Sequence, residues 1–107
     1  MSEPRTPLFE VLTPLGFAVR TTPEYWDLLE HKHAEIRGRQ QDVKRCLTAP
    51  QRVRRSEQDP GVYLFYQPLP PYHLCVVVKR LNGEGFIVTC YVTDAIKEGR
   101  QIWPTSE

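Results

Sequence analysis

The sequence has no long apolar run, no paired-cysteine motif and no cluster of acidic residues. Each absence removes a class of function. Without about 18 consecutive apolar residues there is no candidate transmembrane helix. The opening MSEPRTPLFE, which mixes charges with prolines, does not read as a secretory leader. A cytoplasmic protein with no membrane partner is therefore expected. Cys46, Cys75 and Cys90 form no Cys-x-x-Cys pair, and each occupies an apolar pattern, which reads as buried thiols in a reducing compartment. His31 and His33 stand two apart and would diverge on a helix, and no carboxylates gather as they would for magnesium, so neither a metal nor a cofactor is expected. Asn82-Gly83-Glu84-Gly85 lacks the lysine and the following helix of a phosphate loop. No serine sits in a nucleophile-elbow pattern.

What remains is an ordinary globular composition. The 107 residues, 40% apolar and 25% charged, suit a single domain over residues 1–107 with one modest core. The net charge of +1 hides an asymmetry: Glu35 to Glu57 holds seven basic and three acidic residues. A basic block of this kind either holds a polyanion or is a solvated surface.

Periodicity gives the elements. FEVLTPLGFAVRTT reads as a hairpin turning at Thr13-Pro14-Leu15-Gly16. Thr22, Pro23 and Glu24 supply an N-cap, a proline at the first helical position and an acid in the first turn. Trp26, Leu29, His33 and Ile36 then form an apolar stripe that Val43 and Leu47 continue, with a break at Gly38 and an end before Pro50. Strand patterns follow in QRVRRS, VYLFYQ, YHLCVVVKRL and the run from Phe86 to Thr93, where Phe86, Val88, Cys90 and Val92 are expected in the core and Thr89, Tyr91 and Thr93 on the other face. Thr93 to Gly99 carries a capping pattern for one helical turn. The expected fold class is α+β, an N-terminal hairpin and helices packed on a four-stranded antiparallel sheet.

The order of HKHAEI, PQRVRRS, YLFY, VVVK and GFIVTCYVTDAIKEGRQIW resembles the nuclease superfamily of barnase, EndoU, colicin ribonucleases and RelE-like toxins, in particular its phage-associated branch. The resemblance spans most of Trp26 to Trp103. It implies metal-independent RNA cleavage by attack of a ribose 2′-hydroxyl on the neighbouring phosphate, RNA as partner, and a protein inhibitor or antitoxin as a further one. The alternative is a non-catalytic RNA- or protein-binding module of the same fold.

That chemistry needs a proton acceptor, a proton donor for the leaving oxygen, and positive groups around the charged phosphate. His33 is the candidate acid or base, against the reading that it packs on the apolar stripe. Lys79, Thr89 and Tyr91 complete the candidate catalytic set. Arg52, Arg54, Arg55, Ser56, Tyr66 and Thr93 are candidate RNA-binding residues, although strand alternation puts Arg54 and Ser56 on the face opposite Arg55. A two-residue Asn82-Gly83 turn would set Lys79 opposite Phe86, whereas a three-residue loop of Gly83, Glu84 and Gly85 would set it opposite Thr89. The longer loop is the expectation, because an unpaired lysine buried against Phe86 would be costly.

Overall fold

In the computed structural model, which describes residues 6–96 and 99–105, one sheet of seven strands carries two helices on one face. The strands are β1 (Phe9–Leu12), β2 (Ala18–Thr21), β3 (Arg52–Arg55), β4 (Val62–Leu69), β5 (Tyr72–Leu81), β6 (Glu84–Thr93) and β7 (Arg100–Trp103). Helix α1 (Pro23–Lys32) and helix α2 (Gln40–Thr48) flank a short 3-10 turn, Ala34–Ile36. The sheet order is β1-β2-β6-β5-β4-β3-β7. No helix of the described residues is long and apolar enough to cross a membrane.

This corrects the expected architecture. The N-terminal hairpin is not a separate layer on a four-stranded antiparallel sheet, because β2 joins β6 in parallel through Val19 and Arg20 opposite Gly85 and Phe86. The sheet is mixed for that reason. Gly85 makes the junction possible: a Cβ there would stand 2.9 Å from Phe17 Cε1 and from Val19 Cγ2, and 3.0 Å from the Ala18 carbonyl oxygen. At the other edge β7 pairs with β3. The expected helical turn at Thr93 to Gly99 is a bend at Asp94 and Ala95, and its residues 97 and 98 lie outside the described residues.

Local chemistry sets the helix ends. The Thr22 hydroxyl accepts the Tyr25 N–H at 3.1 Å, satisfying a donor that the first turn leaves open. At the far end α1 stops at Lys32, and His33, with φ −133° and ψ 84°, donates its N–H to the Leu29 carbonyl as a cap. Trp26, Leu29, Ile36, Val43, Cys46 and Leu47 meet Phe9, Val19, Val53, Phe65, Leu74, Val76, Val78, Ile87 and Cys90 in one buried core. Pro68 lies near the end of β4, at an exposed position.

The hairpin of β5 and β6 decides which side chains face where. Asn82 and Gly83, both at positive φ, form a two-residue turn that pairs Leu81 with Glu84 and Lys79 with Phe86. The three-residue loop is thereby overturned. Asn82 tolerates the left-handed conformation that this turn needs, and the predicted penalty never arises because Lys79 and Phe86 share the face away from the helices. The register then shifts between Val77 and Val78, so that Val78 pairs with Ile87 and Val77 with Thr89. Val88 is the extra residue of this bulge. In consequence Ile87 enters the core, Phe86 is only partly buried and Val88 is 40% exposed, against the expectation that Phe86 and Val88 would be core residues.

Candidate functional site

Strand register lines up a row of side chains across the open face. Arg52 on β3 pairs with Tyr66 on β4, Tyr66 with Cys75 on β5, and Cys75 with Tyr91 on β6. Paired residues share a face, so the row spans about 14 Å over three strand intervals. A parallel row holds Arg54, Leu64, Val77 and Thr89, with Gln101 of β7 beyond Arg54. On the other side of the first row, Thr93 pairs with His73.

His33 reaches this face around the edge of β6. The 3-10 turn packs on β6, and the cap geometry lets the imidazole leave the helix stripe. Its ring centre lies 6.1 Å from that of Tyr91. The side chain keeps 30% exposure, and Nδ1 is 3.5 Å from Glu35 Oε2. His33 is therefore no member of the core formed by Trp26 and Leu29.

The middle of the row is dry. Leu64, Tyr66 and Cys75 are buried, with Val77, Tyr91 and Ile96 packed against them. Burial pushes the Tyr91 phenol well above its ordinary value, and the neighbouring Cys75 thiol adds to the effect. Tyr91 therefore remains protonated across the physiological range. Tyr66 is fully buried and offers no open ring face to a nucleobase. Arg52 and Arg54 form no ion pair among the described residues, and Arg54 donates to the Gly99 carbonyl at 3.3 Å.

Other candidates stand elsewhere. Lys79 shares the face of Thr89 and Tyr91 but lies four residues along β5 from Cys75, about 13 Å at strand spacing. Its Nζ is held by Asp59 Oδ2 at 2.7 Å, and this hydrogen bond, aided by the Gly61 N–H, holds the Asp59 carboxyl below its ordinary value. Lys79 instead borders a groove of about 870 Å³ with Arg20, Tyr25, Leu81, Phe86 and Val88, none of which belongs to the row. Arg55 is on the helix side, where its Nη2 donates to the Tyr63 hydroxyl at 2.9 Å. The Ser56 hydroxyl accepts the N–H groups of Gln58 and Asp59 and so shapes the β3–β4 turn. The Thr93 hydroxyl accepts the Ala95 N–H at 3.2 Å, opening the bend that follows β6.

Sequence reasoning passed over Cys75 and Glu35. Cys75 could have been placed by alternation along β5, since it shares parity with Val77 and Lys79; Glu35 is two residues from His33 but gains access to its ring only because α1 has ended. Among the described residues no group of three or more histidine, cysteine or acidic side chains could hold a metal ion. No family model, curated protein or solved structure matches the chain.

Proposed function

We propose that the open face of the sheet binds single-stranded RNA and cleaves it without a metal. The observation that carries this reading is the His33 imidazole beside the Tyr91 phenol, at the end of a row that begins with Arg52. His33 takes the proton of the attacking 2′-hydroxyl, and Glu35, next to Nδ1, orients the ring so that Nε2 is the acceptor. Oxygen 2′ forms its bond to phosphorus as the bond to oxygen 5′ breaks. Tyr91, protonated at neutral pH, gives a proton to the leaving oxygen 5′, and its burial makes it a weaker donor than an exposed tyrosine. The products are a 2′,3′-cyclic phosphate and a 5′-hydroxyl. Arg52 and Arg54 hold the backbone phosphates of the flanking nucleotides. Thr89 and Thr93 border the same path on β6, whereas Lys79 takes no part.

One observation favours the non-catalytic binding module. Lys79, the cation wanted at the reacting phosphate, is spent on Asp59 at a distance from His33. The deciding assay incubates the purified protein with single-stranded RNA in chelator and reads the product ends. Cyclic phosphate ends, with a rate about 10²–10⁴-fold lower in His33→Ala at unchanged RNA affinity, support cleavage. Binding without any cleavage by the unaltered protein gives first place to the binding module.

A further inference from the structure

A second basic cluster lies on the opposite face of the sheet, and its geometry is more closely specified than that of the arginines on the open face. Arg55 of β3 stands opposite Tyr63 on one side and opposite Arg100 of β7 on the other. Its guanidinium donates to the Tyr63 hydroxyl at 2.9 Å and lies 5.3 Å from the ring centre. Arg80 of β5 covers the Phe17 ring at 4.6 Å, and that ring is 5.3 Å from the ring of Tyr63. Arg80 thus lies against the same aromatic pair, and its charge acts with that of Arg55 on the Tyr63 hydroxyl.

Such an arrangement needs an explanation. Like charges directly opposite each other on paired strands repel, and a buried donor without an acceptor is unfavourable. Both conditions occur here: among the described residues no carboxylate forms an ion pair with Arg55, Arg80 or Arg100, and none gives the buried Nε of Arg55 a hydrogen-bond partner. An oxyanion removes both costs together, because each planar guanidinium presents a fork that fits two of its oxygens.

We propose that Arg55 and Arg80, on either side of Tyr63, together with Arg100 opposite Arg55, form a binding site for a phosphate group. Arg80 and Arg100 are exposed, so the site opens to solvent, while Arg55 and Tyr63 form its floor. The Tyr63 hydroxyl reports the local field: burial acts to raise its pKa, yet the hydrogen bonds and charges of Arg55 and Arg80 outweigh burial and lower it. The site lies across the sheet from His33 and does not depend on the cleavage reading.

The test follows the arginine Nε–Hε resonances while inorganic phosphate is titrated against sodium chloride at constant ionic strength. Saturable shifts of Arg55 and Arg80, with affinity about tenfold or more weaker in Arg80→Gln and in Arg100→Gln, support the site. Both substitutions are at exposed positions, and circular dichroism checks that each variant is folded. Shifts that follow ionic strength alone, or phosphate affinity equal in the parent and both variants, overturn it. Phenyl phosphate and dimethyl phosphate then separate the sources. Preference for the dianionic monoester points to a terminal phosphate, and equal binding of the diester points to a nucleic-acid backbone.

Discussion

Gly85→Ala tests the parallel junction of β2 with β6. The new methyl would meet Phe17 Cε1 and Val19 Cγ2 at 2.9 Å and the Ala18 carbonyl oxygen at 3.0 Å. Carbon atoms rest comfortably at about 3.5–4.0 Å, so the two carbon contacts are short by more than half an ångström, and the contact with the carbonyl oxygen is tight as well. Two of the three neighbours belong to buried side chains, and the third is backbone in the strand bonded to Gly85. None can swing away. Overpacking of this kind costs about 1–3 kcal/mol, and the upper part of that range applies because three rigid neighbours act together. Loss of glycine's freedom in the unfolded chain returns under about 1 kcal/mol. The expected net is about 2 kcal/mol, against a total near 5–15 kcal/mol for a domain. With a urea slope of about 1–3 kcal/mol per molar, the unfolding midpoint should fall by about 1 M. Gly16→Ala is the control: at φ +91° with open space around it, it bears backbone strain of about 1–2 kcal/mol and no clash. A Gly85→Ala midpoint equal to that of the parent protein would show that β2 does not press on β6, and the parallel pairing that joins the N-terminal hairpin to the sheet would be in error.

Two further outcomes are expected. Replacing Arg52 and Arg54 together by glutamine should reduce the slope of log affinity for single-stranded RNA against log salt by about 1.4, from two phosphate contacts at about 0.7 each; an unchanged slope removes the open-face arginines from RNA binding. Melting temperature should hold steady up to about pH 8.5 and then fall towards pH 12. The sign follows from groups that the fold keeps protonated: burial first of all raises Cys46, Cys90 (to about 12) and Tyr91, whereas unfolded cysteine and tyrosine ionise near about 8.5 and 10. Their contribution is complete below those values and is lost as pH rises through the folded ones. Cys90→Ala should flatten part of that fall, and a curve identical to the parent's would contradict the assignment.

Local chemistry was legible in the sequence, and long-range pairing was not. Thr22-Pro23-Glu24 announces the start of α1 because each residue satisfies a need of the first turn within four positions. Thr13 to Gly16 likewise closes on itself, with the Gly16 N–H donating to the Thr13 carbonyl. The β2–β6 junction joins residues more than sixty positions apart, and no local pattern in Val19 or Arg20 announces it. The same holds for β7, whose pairing with β3 spans the whole meander. His33 fits the apolar stripe by spacing alone. Spacing counts only while the helix lasts, and with α1 ending at Lys32 the ring is released towards Tyr91.

The bulge at Val88 explains why the facing of the candidate residues could be read correctly from an incorrect register. A two-residue turn carried through without a bulge would pair Cys75 with Cys90, placing Thr89 and Tyr91 in the core. One extra residue in β6 moves every later pair by one position and turns those side chains to the open face. The expected three-residue loop displaces the pairing by two further positions, and because side chains alternate with period two, it leaves facing unchanged. Lys79 thus shares a face with Thr89 and Tyr91 in both registers, but only the wrong one makes it their neighbour. The hydroxyl pattern of Thr89, Tyr91 and Thr93 fixed the face, whereas the Asn82-Gly83 turn fixed the position along it. The cation of the first row is consequently Arg52, three strands from Tyr91, while Lys79 stands about 13 Å along β5 from that row.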